Sequence, residues 1–410
     1  MSSSNKVLTS LDAELGWIRD TYTDLHRHPE LSLEEERTAG IVEEKLKSFG
    51  YDVQRIGGTG VVGVLVNGEG KTVLSRADTD ALPVTEATHL DYASEVPGVM
   101  HACGHDVHVS ALLGAAKLLA DGRDAWSGTY IALFQPAEEV GAGSQAMLDD
   151  DLVTKVPRPD VALAQHVMPM AAGLVATTAG PVLSAGDSLK ITVFGKGAHG
   201  SMPHMAVDPV VLSAAIVLRL QTVVSRETKP GDFAVVTVGA LNVGTKSNII
   251  PDRATLLLNI RIYDDEVRST VLAAIERIVK GECLTAGSPQ EPVFEYYDQF
   301  PLTDNDAGTT DHVTAAFHDH FGADAVQPAT RQTASEDFSR IPDAFGVPYT
   351  YWLLGGADPA TYDAAVKNGT VARDIPANHS PFFAPVMDPT LSVGVQAHVV
   401  AALSYLGRDG

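Results

Sequence analysis

This chain is poor in cysteine and in cationic side chains, and it contains no long apolar run. Two cysteines in 410 residues, Cys103 and Cys283, exclude a small fold stapled by disulfides. Lysine and arginine number 29 against 52 aspartates and glutamates, a formal charge of −23. That balance argues against nucleic-acid partners, whose phosphates need cations, and against docking on anionic membranes. No stretch of 18 residues is apolar throughout. The opening MSSSNKVLTSLDAEL lacks the basic segment, apolar stretch and small-residue site of a secretory signal. The expectation is a cytoplasmic protein.

At 45% hydrophobic and 20% charged residues, the chain can build two or three domains, or one large core with an insertion. Helical apolar recurrence marks 11–25, 33–49 and 107–120; β-branched runs at 61–66 and 72–76 read as strands. The NGEG between those two runs reads as a hairpin turn. Short apolar strands at 129–134 and 160–165, with helices between, give the α/β pattern. Past Gly180 the character changes to alternating strands at 188–194, 233–241 and 255–263, with long helices at 208–224 and 266–286. That is a two-layer α+β module. Neither flank looks self-sufficient, since the first lacks a closing element and the last lacks a sheet. A discontinuous α/β domain, 1–183 plus 296–410, interrupted by a module at 184–295, fits best.

The densest chemistry is His101-Ala-Cys103-Gly104-His105-Asp106-Val107-His108, just ahead of a helix. Three imidazoles, a thiol and a carboxylate in eight residues need a partner if buried, and a divalent cation satisfies them. Other donors stand at strand ends: Asp78 and Asp80, the adjacent pair Glu138-Glu139, and His166; His379 sits in a polar loop. Adjacent carboxylates repel, and the conflict resolves if one binds metal while the other serves as a base. A Cys103 nucleophile with a histidine base is the rival chemistry, but it leaves Glu138, Glu139, His166 and His379 without a role. Cys283, within the second module helix, reads as a small buried apolar residue.

The chain resembles the M20 metallopeptidases, and within them the amidohydrolases that include hippurate hydrolases, auxin-conjugate hydrolases and aminoacylases. The matching stretches are LHRHPELSLEEERT, SRADTDALPVTE, MHACGHDVHVSALLGAAKLL, FQPAEEVGAGSQAM, GKGAHGSMPH, SNIIPD, SEDF and NHSPFFAP, in family order from Leu25 to Pro385. The resemblance implies a zinc-peptidase-like α/β catalytic domain with an inserted α+β lid that also dimerises. It implies two divalent metals, zinc first, with manganese or cobalt as alternatives, held by Cys103, His105, Glu139, His166 and His379. Glu138 falls on the general base, His199 on a lid histidine that meets the substrate, and Asn248 and Arg261 on lid positions near it. In this branch Asp78 stands where others carry a histidine. The implied reaction is hydrolysis of an N-acyl-L-amino acid by a homodimer. A metallo-dipeptidase and a non-catalytic ligand-binding homologue are the alternatives, and Glu138 beside Glu139 speaks against the second.

Overall fold

A computed structural model describes residues Ser2–Gly407. The chain divides into two compact units. The main unit comprises Met1–Val182, Asp304–Thr330 and Asp337–Gly410, and the inserted unit Leu183–Thr303 with Arg331–Glu336.

The main unit holds an eight-stranded sheet. From edge to edge it runs Asp52–Arg55, Val61–Asn67, Gly128–Gln135, Thr72–Asp78, Val161–Ala171, Tyr349–Ala357, Val175–Thr177 and Val326–Pro328. The four central strands are mutually parallel, so their C-terminal ends share one edge. Their apolar runs are buried on both faces, as parallel strands flanked by helices must be. The turn after Asn67 is not a hairpin: Gly128–Gln135 lies between Val61–Asn67 and Thr72–Asp78, antiparallel to the first and parallel to the second. Turn residues permit a reversal but do not select the partner. Here both runs are apolar enough to flank the same central strand. Tyr349–Ala357 pairs with Val161–Ala171 from nearly 200 residues away, which explains why neither flank of the chain looked complete.

Helix His105–Asp121 packs beside Leu11–Arg27 and Met387–Leu406, and all but three of its 17 residues are buried. It therefore lacks the one-sided polarity of a surface helix. Its N-terminus is fixed by the core it crosses.

The inserted unit has a four-stranded antiparallel sheet in the order Ala234–Val243, Arg253–Ile262, Ala185–Phe194, Val293–Phe300. Val293–Phe300 pairs with Ala185–Phe194, which carries the unit past residue 295 to Thr303. Helices Pro209–Thr222 and Asp265–Ala286 bury the sheet's alternating Leu, Ile and Val side chains. Cys283 is part of that core. Burial pushes its thiol up to about 11, in keeping with an apolar role.

Candidate metal centre

Three parallel strands and two loops of the main unit supply one polar cluster. Thr72–Asp78 ends on Asp78, with Asp80 two residues on; Gly128–Gln135 is followed by Glu138 and Glu139. His166 lies within its strand, which continues to Ala171. Gly104, left-handed at φ +84°, turns the chain between Cys103 and His105 into the buried helix. His379 arrives on a loop anchored by its own N–H, which donates to the Ala102 carbonyl at 2.8 Å.

The donor atoms converge. Cys103 Sγ lies 3.4 Å from His166 Nε2. Glu139 Oε1 is 3.4 Å from His379 Nε2 and 3.9 Å from His105 Nε2. Ligand atoms of Cys103, His105 and Glu139 fall within 4.8 Å of one another, as do those of Asp78, His105, His108 and His166. His105 belongs to both groups. All five expected ligands are thus brought into one chain of short contacts.

Hydrogen bonds decide which ring nitrogens keep a lone pair. His105 Nδ1 meets Asp80 Oδ1 at 3.3 Å, leaving Nε2 toward the cluster. His166 Nδ1 donates to the Val167 carbonyl at 2.8 Å, leaving Nε2 toward Cys103. His108 is committed at both ends: Nε2 accepts the Val167 N–H at 2.8 Å, so Nδ1 carries the proton and donates to Asp78 at 2.5 Å. It therefore holds Asp78 in place, and Arg76 grips the other oxygen of Asp78 at 2.7 Å. A carboxylate behind a ligating imidazole sets its tautomer and raises its basicity. Asp80 does this for His105, while its second oxygen takes the Ser32 hydroxyl at 2.7 Å and the Glu139 N–H at 3.0 Å.

The cluster's charge calls for a cation. His105 Nε2 and Glu139 Oε1 are buried without a hydrogen-bond partner, and two lone-pair atoms facing each other need positive charge between them. Burial opposes a charged His105, but Asp78 and Asp80 outweigh it and hold the ring's proton up to about pH 10. A bound cation would take that proton's place. Burial and then Glu139 push the Cys103 thiol well above its ordinary range, which disfavours a free thiolate nucleophile. The thiol beside imidazoles would suit zinc, and the imidazole and carboxylate donors would also suit manganese or cobalt. The residues present fit such a metal pair.

The other expected site residues lie in the inserted unit. His199 and Asn248 line one open recess of about 660 Å³ with Ile249, Ile250 and Pro251. The Ser201 N–H donates to His199 Nδ1 at 3.2 Å, placing the ring proton on Nε2. Arg261 is elsewhere in the same unit, its Nε donating to Asn259 at 3.0 Å and its Nη1 to the Ser335 hydroxyl. Reasoning from sequence did not assign the supporting roles of Asp80, His108 and Asn378. Asn378 donates to the carbonyls of Cys103 and Val167, both at 3.2 Å. Its place beside His379 was the available signal.

The profile of the peptidase family M20/M25/M40 matches residues 74–375. The chain is 36% identical to thermostable carboxypeptidase 1 of Saccharolobus solfataricus, over 96% of both chains. It is 40% identical to the hippurate hydrolase of Campylobacter jejuni, over 77% of this chain and 82% of that one. Among solved structures it resembles the Bacillus subtilis YXEP protein, a dinuclear metal-binding peptidase from the M20 family. That match has a TM-score of 0.77 and 26% identity, covering 96% of this chain and 98% of that one.

Proposed function

Since the chain belongs to the peptidase family M20/M25/M40 and is a metal-dependent amide hydrolase, we propose that it cleaves N-acyl-L-amino acids into a carboxylic acid and a free amino acid. The observation that carries this reading is the buried pair His105 Nε2 and Glu139 Oε1, neither with a hydrogen-bond partner, and a second carboxylate, Glu138, on the adjacent residue. Cys103, His105, Glu139, His166 and His379 would hold two divalent ions, zinc first. When bound, such ions polarise an amide carbonyl and acidify a water. Glu138 takes that water's proton on its carboxylate and returns it to the leaving nitrogen, which must be protonated to depart. His199 offers its Nε2–H to the developing oxyanion. Arg261, with its guanidinium plane fixed by Asn259 and Ser335, suits a free α-carboxylate.

The inserted unit supports a homodimer. His199 and Asn248 sit beside Pro251 and Asp252, at the start of the strand Arg253–Ile262, whereas Arg261 is near its end. Eight residues of strand separate the two by about 26 Å at about 3.3 Å each. One small substrate cannot touch both in a single copy of that sheet, and a second copy supplies the missing group. The outer strand Ala234–Val243 has an open edge and exposes Val235 and Leu241. The continuous helical stretch Pro209–Glu227 is apolar enough, by length and composition, to cross a membrane, yet only 33% of its most apolar window is buried. Val210, Val211, Leu218 and Val224 stand exposed on it. A second copy is the occupant this reading assigns to that face.

A single substrate panel tests the proposal. N-acetyl, N-benzoyl and N-lauroyl forms of Gly, Gln, Glu, Leu and Phe are compared with their C-terminal amides and with free dipeptides. Amidating the α-carboxylate should lower kcat/KM at least about tenfold, worth ~1.4 kcal/mol. Changing the acyl group should matter less, because apolar burial is non-directional. Free dipeptides outrunning every acylated substrate would replace the aminoacylase with a dipeptidase.

A further inference from the structure

The segment Leu25–Thr38 contributes none of the ligands or catalytic groups above, yet it contains a carboxylate with no solvent exposure, Glu35. No lysine or arginine among the described residues pairs with it. Burying a carboxylate without a cation is costly. Its bonds show what the position secures. One oxygen accepts the Ala137 N–H at 2.8 Å and the other the Thr59 hydroxyl at 2.7 Å.

Ala137 is where the chain turns from the end of Gly128–Gln135 into the two carboxylates. It is left-handed, at φ +47°, a conformation that a residue with a Cβ rarely adopts. The residue before it is Pro136, which has no N–H to help hold the turn. Past Ala137 the loop is tied back on itself. The Ala137 carbonyl accepts from the Ala142 and Gly143 N–H groups at 3.2 and 3.1 Å, and the Glu138 carbonyl from Gly141 at 2.8 Å. Only glycine fits at 143, where a Cβ would lie 1.5 Å from the Pro136 oxygen. On the far side the Glu139 N–H goes to Asp80. Two buried carboxylates thus brace the turn, Asp80 after Glu138 and Glu35 before it.

We propose that Glu35 is a positioning residue for Glu138, acting through the left-handed backbone of Ala137, which it holds by accepting that residue's N–H. This rests on reading Glu138 as the general base. Without the acceptor, Ala137 relaxes toward an ordinary φ and swings the Glu138 side chain away from the proton it must take. Displacements of about 1 Å in such a group cost up to about a hundredfold in rate.

The test uses the full-length, metal-loaded protein, with metal per chain measured for every variant. Glu35→Ala should lower kcat about tenfold to a hundredfold with little change in KM. Glu35→Gln should stay close to wild type, since its amide oxygen can accept from Ala137 and its NH₂ can donate to Thr59. Adding Ala137→Gly to Glu35→Ala should restore much of the lost kcat, because glycine adopts positive φ without help. In a Glu138→Gln background Glu35→Ala should change kcat by less than about threefold, since a positioning residue has nothing left to position. If Glu35→Ala does not fold, Glu35→Asp keeps the charge, shortens the reach by one carbon and carries the same comparisons. The proposal falls if the loss persists undiminished in the Glu138→Gln background, if Ala137→Gly gives no recovery, or if the loss only follows reduced metal content. Glu138→Gln alone remaining within about tenfold of wild type would instead remove Glu138 as the base, a separate failure.

Discussion

Gly104→Ala probes the centre through one added methyl group. Gly104 caps the helix His105–Asp121 at φ +84° and ψ 24°, a left-handed state that costs an L-residue ~1–2 kcal/mol. A Cβ there would lie 2.4 Å from Val167 Cγ1 and 3.3 Å from Phe383 Cε1. Both neighbours are buried, so neither can yield freely, and overpacking of this kind costs ~1–3 kcal/mol. The sum is ~2–5 kcal/mol, offset by ~0.4–1 kcal/mol because alanine stiffens the unfolded chain. Gly98→Ala isolates the conformational part: its φ is +78°, and nothing lies within 4 Å of the Cβ it would gain. Urea titrations of the two variants after chelation should place Gly104→Ala ~1–3 kcal/mol below Gly98→Ala. Because Cys103 and His105 flank the turn, metal per chain should also fall in Gly104→Ala and not in Gly98→Ala. Equal stability within ~0.5 kcal/mol, with equal metal content, would refute the packing argument.

Two further outcomes follow from groups away from the donor atoms. Burial opposes a charged His26, but Asp106 at 2.6 Å and Glu86 at 3.3 Å outweigh it and raise the ring to about 9. Its stabilisation should be complete below the unfolded value of ~6.5 and fade as pH rises through about 9, up to ~3 kcal/mol in all. Urea unfolding between those pH values should lose this slope in His26→Gln, and an unchanged slope would refute the charge assignment. Leu218→Glu places a charge on a residue 74% exposed in one chain; if the proposed dimer forms, wild type should sediment above 43.3 kDa and the variant as a 43.3 kDa species, with its far-UV circular dichroism unchanged. A wild-type protein that is monomeric at micromolar concentration would overturn the dimer.

Much of the fold was legible because its signals are local. The helix at 11–27 shows its apolar recurrence in sequence, and the strands of the inserted unit show their alternation. The octet around Cys103 was legible for the same reason, since its donors are neighbours in the chain. Boundaries were less so: Leu33 lies outside the helix that begins at Glu36, and Val293–Phe300 joined the inserted sheet through a partner a hundred residues earlier. The NGEG turn makes no hairpin because pairing is settled by which strand lies alongside, and that is not a local property.

The sequence by itself determined the kind of chemistry: an acidic chain, a cluster of thiol and imidazoles, and two adjacent carboxylates after a strand. Only the tertiary structure decided how these atoms are used. It brought His379 to Glu139 across 240 residues of chain. It committed both nitrogens of His108 while leaving one lone pair on His105 and one on His166. It set Glu35 behind Ala137, paired His199 with Ile249 in a small sheet of its own, and put Arg261 near the end of the strand Arg253–Ile262. Residue type sets what a side chain can donate or accept. Which partner takes up that capacity depends on distances of a few ångströms between segments far apart in the chain, and those exist only once the strands have paired.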